Sequence, residues 1–427
     1  MHNVDLARLL VELISNRERD RIMLPFHDDR LVSAERSFFA FICAVLFLAA
    51  TSQTARSQTY QVIYNFTAQG TDGATPYSGP ILDQQGNLYG TTYLGGSLGS
   101  GTVYRLAPTG SSWTHTTLYN FKGVPDGSGP AFGSLVMASG RFLFGTTEGG
   151  GYFGTAFAVC TCPHREYVLH SFGKGKDGAQ PIGGLALDRA GNLYGTTSEF
   201  GAYGFGNVFE LTPSGNTVTE NILYSFVGGS DPINPAAGVT LDARGEIYGN
   251  ASLGGAFGYG AVYKLSRSGS SWKETVLYNF QNGTDGANPV GGVILDNVGT
   301  IYGTTFDGGI NGGGTVWELS PSASGWTFNT IYSFIGIYGG PYNKLTLDGS
   351  GDLYGFTNAD GANGLGSIFK LTPGSNGWIY TDLHDFAGGT DGLLPYGSLA
   401  VDAHGNIFGT AAVGGTENQG LVFEITQ

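Results

Sequence analysis

The residues best suited to chemistry are aspartates in a recurring Asp-Gly-x-x-Pro motif. It runs Asp72 to Pro76, Asp126 to Pro130, Asp177 to Pro181, Asp285 to Pro289 and Asp391 to Pro395, with Asp231-Pro232 as a variant. Carboxylates repeated in this way, if gathered at the mouth of a ring, would hold Ca²⁺ or another hard cation through side-chain and backbone oxygens. The same spelling also makes a turn, the Asp accepting from its own backbone and the Gly supplying positive φ. No D-x-D-x-D-G calcium loop accompanies it, so the choice between cation site and turn cap stays open on sequence.

A second set is aromatic. Between glycines lie Tyr93, Tyr152, Phe153, Phe200, Tyr203, Phe205, Phe257, Tyr259 and Phe306, and upstream of the Leu/Val-Asp runs lie Tyr77, Tyr338, Tyr342 and Tyr396. Such rings either form platforms that stack on sugars or partner side chains, or fold back to cover neighbouring structure. We take Tyr93, Tyr152, Phe153, Tyr203, Phe257, Tyr259, Phe306 and Tyr342 as the candidate ligand-binding residues. Nothing comparable supports catalysis. Cys160-Thr161-Cys162 with His164 is a weak metal pattern and reads better as a local disulfide or two quiet thiols. Gly95 to Gly99 matches G-x-S-x-G without a helix to form an elbow, and Gly149 to Gly154 matches G-x-G-x-x-G without a β-α context.

The elements that position these residues follow from a repeat. An aromatic signature, LYNF or a close variant, closes at Phe66, Phe121, Phe172, Phe226, Phe280, Phe334 and Phe386, at intervals of 55, 51, 54, 54, 54 and 52 residues. Within one period we expect four strands: residues 78 to 83, Gly86 to Thr92, Gly101 to Leu106 and Trp113 to Phe121. Four antiparallel strands in about fifty residues is the arithmetic of a β-propeller blade. The last period stops after three strands at Gln427, while Thr59 to Phe66 is a fourth strand without a blade. The chain is therefore expected to be all-β, a single seven-bladed propeller over residues 59–427 whose N-terminal strand completes the last blade and leaves no free sheet edge. The loops into the innermost strands and those joining second to third strands then share one face, the candidate ligand face. Trp113, Trp272, Trp326 and Trp378 begin outermost strands and should pack between blades. Two periods deviate: the second replaces its turn aspartate and carries CTCPHREY, and the sixth carries GIYGGPYNKL before its innermost strand.

The combination G-x-L-x-L-D-x-x-G-N-L-Y-G-T-T, then G-T-V-Y/F/W-x-L, then W-x-x-T-x-L-Y-x-F resembles the GloVer-type tandem repeat of exported bacterial proteins, over about Thr59 to Gln427. The resemblance implies a secreted repeat protein, often with a C-terminal anchor, and no shared catalytic residues. Here the last residues read as a strand instead of an anchor.

Composition agrees with export and with a protein ligand face of neutral or cationic partners. The chain has 20 Lys and Arg against 34 Asp and Glu, a net charge of -14. Because residues 1–57 hold seven of each sign, the whole excess falls on the repeats. Such a surface cannot neutralise a row of phosphates, which excludes nucleic acid and anionic membrane as natural partners. The 73 glycines have no Gly-X-Y period and sit among 27 Phe and 23 Tyr, which excludes collagen and argues against disorder. Residues 1–57 read as a leader with a signal peptide, its apolar stretch at 38–50 preceded by Arg30 and Arg36, and Met23 offers a second start. The expectation is a secreted, extracellular or periplasmic protein, not integral to a membrane after cleavage. It would act as a non-enzymatic binding module for a glycan, peptide or protein. The alternative is an extracellular carbohydrate-active hydrolase or lyase using carboxylates at the channel mouth.

Overall fold

A computed structural model describes residues 58–427 apart from 131, 162–163, 174, 216 and 337–338. The leader, its signal sequence, Tyr338 and Cys162 lie outside the described residues. No helix among the described residues is long and apolar enough to cross a membrane.

Seven four-stranded antiparallel sheets follow one another in sequence order. The first blade is built from Ile81–Leu82, Leu88–Thr92, Thr102–Thr109 and Ser112–Asn120, from innermost to outermost. The seventh is built from Leu393–Val401, Ile407–Val413 and Leu421–Thr426, and its outermost strand is Thr59–Asn65 from the other end of the repeats. Thr59 stands opposite Thr426 and Asn65 opposite Leu421, so the expected closure is observed. Most innermost strands are shorter than the sequence suggests, two residues in the first blade instead of six. Near the axis the segments meet backbone to backbone: a Cβ on Gly79 would lie 1.7 Å from the Ser398 carbonyl oxygen, and one on Gly133 would lie 2.3 Å from the Gly184 nitrogen.

The repeat spelling is explained by the seams between blades. Among the described residues there are seven buried apolar clusters, each drawn from two adjacent blades. In each, the Phe closing one outermost strand packs on the aromatic residue of the next blade's third strand. Phe121 meets Phe157 at 5.0 Å, Phe226 meets Tyr263 at 5.1 Å, Phe280 meets Trp317 at 5.7 Å, and Phe66 closes the ring on Tyr104 at 5.2 Å. The tip of each third-strand ring lies over the glycine of L-Y-G in its own blade. A Cβ on Gly90 would sit 2.4 Å from the Tyr104 hydroxyl, and one on Gly195 would sit 2.5 Å from Phe209 Cζ.

Every outermost strand also carries a bulge at the residue three before the closing Phe. Val103 pairs with Tyr119 and Tyr104 with Thr117, which leaves Leu118 unpaired. Strict alternation would send Leu118 and Phe121 to opposite faces, and the extra residue lets both reach one seam core. The tryptophans pack between blades as expected: Trp113 stands edge-on to Phe408 at 5.8 Å and Trp378 to Tyr302 at 5.9 Å. The D-x-x-G-N turns are capped by their aspartate, with Asp83 accepting from the backbone of Gln85 and Asn87 at 2.9 Å each.

Two outcomes test this construction. Gly195→Ala should lower stability by about 1–3 kcal/mol in chemical denaturation through overpacking. Gly349→Ala, whose added methyl meets nothing within 4 Å, should leave stability unchanged. Deleting Thr59–Asn65 should expose the edge of Leu421–Thr426 and produce self-association visible in size-exclusion chromatography.

Candidate functional site

In the structure the six motif aspartates take the turn-cap arrangement, the second of the two readings open on sequence. Each lies just after an outermost strand and turns back onto it. Asp126 accepts from the Lys122 backbone nitrogen at 2.8 Å and the Tyr119 hydroxyl at 2.7 Å. Asp177 accepts from Gly173 N at 2.9 Å, with His170 Nε2 at 2.9 Å, and Asp391 accepts from Ala387 N at 2.6 Å, with His384 Nε2 at 3.1 Å. Asp231 takes Val227 N at 2.7 Å and the Tyr224 hydroxyl at 3.2 Å, and Asp285 takes Gln281 N at 2.8 Å and the Tyr278 hydroxyl at 3.1 Å. Asp72 accepts from the backbone and hydroxyl of Thr67 at 2.8 Å. The physical reason is local: an Asp six or seven residues past a strand end reaches the free N–H groups of its own turn before any other donor. The motif is pinned by backbone pairing to the loop joining second and third strands, as in Gly73–Ala74 with Leu94–Gly95 and Pro232–Ile233 with Leu253–Gly254. The motif aspartates, each held in its own turn, thus offer no carboxylate pair to the hydrolase alternative.

A different polar layer runs round the ring. The Tyr or His two residues before each closing Phe faces, across the seam, the residue six before the next closing Phe. At four seams the pair stacks or includes the His115 ring, as with Phe328 on Tyr278 at 4.0 Å, Tyr380 on Tyr332 at 4.4 Å, Tyr60 on His384 at 3.8 Å and His115 on Tyr64 at 4.4 Å. At the three seams between blades one and four the facing residue is a glutamate, Glu166, Glu220 or Glu274, beside Asp126, Asp177 and Asp231. Burial, and then the neighbouring aspartate, pushes the carboxyls of Glu166 and Glu220 up to about 8 and that of Glu274 up to about 7. Each pair can therefore keep one proton between two carboxyls near neutral pH.

Among the described residues, His170, Asp177 and Glu220 form the one group whose ligand atoms all lie within 4.8 Å of one another. An imidazole and two carboxylates suit a transition metal better than Ca²⁺, which takes six to eight oxygens. The same seam position is hydrogen-bonded at Tyr119–Asp126 and Tyr224–Asp231 without an imidazole, so a polar seam contact accounts for the group.

The candidate aromatics divide into two sets. Tyr152, Tyr203 and Phe257 are 71%, 60% and 55% exposed, and Phe153 and Tyr259 are exposed beside them. These stand on loops of the second, third and fourth blades, with Phe153 and Phe200 in ring contact at 5.5 Å. Two clefts of about 420 Å³ lie among these loops: one is lined by Tyr93, Ser128, Glu148, Tyr152, Phe153 and Gln180, the other by Ser198, Glu199, Phe200, Phe205 and Asn234. Phe306 and Tyr342 instead turn toward the axis, and Tyr93 bridges the first cleft and the axial rings. Tyr93 donates to Glu148 Oε2 at 3.1 Å and meets Tyr77 at 5.2 Å, and Phe306 meets Tyr342 at 5.5 Å. Tyr77, Phe132, Tyr342 and Tyr396 form a ring cluster over the channel, linked by Tyr77–Phe132 at 5.4 Å and Tyr342–Tyr396 at 6.2 Å. Phe132 and the seam glutamates were not singled out from sequence. Aligning the seven repeats position by position, six before each closing Phe, would have found the glutamates.

The Gloeobacter/Verrucomicrobia repeat matches residues 49–255 and 238–427, which together span every blade. The chain belongs to the Gloeobacter/Verrucomicrobia repeat family. No curated protein matches it in sequence. Among solved structures, this repeat-family chain is similar to a putative 6-phosphogluconolactonase from Bacteroides uniformis ATCC 8492, at 12% identity and TM-score 0.45, covering 71% of this chain and 83% of that one. A putative 6-phosphogluconolactonase from Bacteroides fragilis NCTC 9343 gives 15% identity and TM-score 0.46 over 73% and 84% of the two chains. A gluconolactonase from Xanthomonas campestris gives 15% identity and TM-score 0.41 over 72% and 89%. Likeness at this level transfers no activity to the Gloeobacter/Verrucomicrobia repeat chain.

The seam glutamates set a pH dependence. Their folded carboxyls are raised above the ordinary glutamate range, so the stability they contribute is complete below that range and is lost as pH rises through 7 to 8. The melting temperature should fall between about pH 5 and 8 and level off above, and the double variant Glu166→Gln, Glu274→Gln should flatten that fall in differential scanning fluorimetry.

Proposed function

We propose that the protein is exported and acts outside the cytoplasm as a binding module whose loop face engages an extended ligand. A repeat-family propeller fits a binding module. The observation that carries the finer reading is the run of exposed rings on three consecutive blades, Tyr152, Phe153, Tyr203, Phe257 and Tyr259, beside clefts that also hold Glu148, Gln180, Glu199 and Asn234. Flat rings next to carboxylate and amide groups suit the two-sided chemistry of sugars, whose C–H faces stack and whose hydroxyls hydrogen-bond. A glycan chain is the favoured ligand, and a peptide or partner protein would use the same rings.

The test is a panel of glycans and peptides offered to the secreted protein with and without chelator. Glycan binding is expected, and the triple variant Tyr152→Ala, Tyr203→Ala, Tyr259→Ala should weaken it by about tenfold or more, from roughly 0.5–1.5 kcal/mol per stacked ring. Loss of binding in chelator would assign Ca²⁺ a part in it. Silence across the whole panel would count against the proposal.

A further inference from the structure

The channel holds a charge that the repeat does not call for. Lys344 occupies the place taken in the other six blades by Gly79, Ser134, Gly184, Gly238, Gly292 and Ser398. It belongs to the sixth period, whose GIYGGPYNKL departs from the pattern. Its stem runs over the backbone of another blade, with Cδ 3.3 Å from where a Cβ on Gly292 would be. Its Nζ donates to Thr240 Oγ1 at 2.9 Å, and that hydroxyl donates onward to the Val293 carbonyl. Two of the three ammonium N–H bonds remain.

Around it lies a cavity of about 210 Å³. Its wall is mostly glycine backbone and small apolar side chains, with the rings of Phe132, Tyr342 and Tyr396 included, and it contains no Asp, Glu, His or Arg. Asn343, 4% exposed, lines the same cavity and leaves its Oδ1 without a hydrogen-bond partner among the described residues. A half-buried ammonium with no counter-charge in the cavity wall is unfavourable unless something supplies one. Ring closure does not need the lysine, because six blades close the channel with glycine or serine.

We propose that the channel cavity is a binding site for a small organic monoanion, a carboxylate on a flat apolar body, held by the Lys344 ammonium among the rings of Phe132, Tyr342 and Tyr396. One cation sets one negative charge. A cavity of about 150 Å³ suffices for benzene, so this one accommodates a six-membered ring with its carboxylate. The Asn343 oxygen accepts from a hydroxyl on the ligand. The site is separate from the loop-face rings and stands or falls without them.

Burial pushes the Lys344 amine down to about 8. The other titratable groups facing the cavity are Tyr342 and Tyr396, both raised by burial and neutral across this range. Affinity should therefore hold below pH 8 and fall above it as the ammonium loses its proton.

The experiment is isothermal titration of the full chain with benzoate, its neutral isostere benzamide, and inorganic phosphate at pH 7, repeated with benzoate at pH 9.5. Benzoate should bind at least about tenfold more tightly than benzamide and lose about tenfold or more at the higher pH. Lys344→Met, folded by circular dichroism and with a melting temperature equal to or above the parent, should lose benzoate binding by a similar factor. Equal affinity for benzoate and benzamide, no benzoate binding by the parent, or undiminished binding by Lys344→Met would overturn the proposal. Phosphate bound in preference to benzoate would overturn the assignment to a carboxylate. Should Lys344→Met fail to fold, the benzamide comparison and the pH dependence on the parent protein decide.

Discussion

One contact organises the molecule: the phenylalanine that ends a blade against the aromatic ring of the next blade, with a glycine beneath that ring. It occurs at all seven seams, from Phe66 on Tyr104 to Phe386 on Phe423. Each blade is a small twisted sheet that cannot bury its faces alone, and the ring supplies the missing half of every core. The glycine of L-Y-G and the aromatic of G-T-V-Y are therefore one unit written twelve to fourteen residues apart. The N-terminal strand matters for the same reason, since Phe66 and Ile63 join Phe408 and Val422 on the last blade's side of the seam that closes onto the first.

Because the seams carry the stability, positions beside them can differ from blade to blade. The position six before each closing Phe has two solutions. Where it is aromatic it stacks on its neighbour, and where it is glutamate burial and the aspartate beside it raise its carboxyl. The glutamates stand on the second, third and fourth blades, the same three that present the exposed rings Tyr152, Tyr203, Phe257 and Tyr259. The ring thus has a titratable, open side and an aromatic, closed side, and the rings over the channel, Tyr77, Phe132, Tyr342 and Tyr396, come from the blades at and next to the closed side.

At the axis the constraint reverses. Innermost segments approach so closely that Gly79 and Gly397 have no room for a side chain, and the channel is lined by backbone. A long side chain can occupy it only where a facing residue gives way, as Gly292 does for Lys344. That single departure places one charge in a space otherwise built from amide groups and apolar surface.

The sequence by itself determined the period, the strand count, the closure by Thr59–Asn65 and the chain's place among tandem repeats, because alternation, turn chemistry and repetition are local properties of a chain. It also identified the loops that share a face. Only the tertiary structure decided what each repeated residue meets. The aspartates were legible as turn residues or as ligands, and the structure brings the Lys122, Gly173 and Val227 amides onto them as caps. Tyr93 and Phe306 lie in the loops joining second to third strands, as Tyr152 and Tyr203 do, yet they meet the rings over the channel, Tyr77 and Tyr342, while Tyr152 and Tyr203 face solvent. The partners that make the difference, such as Glu166 for Asp126 or Thr240 for Lys344, lie forty to a hundred residues away, and ring closure alone brings them together.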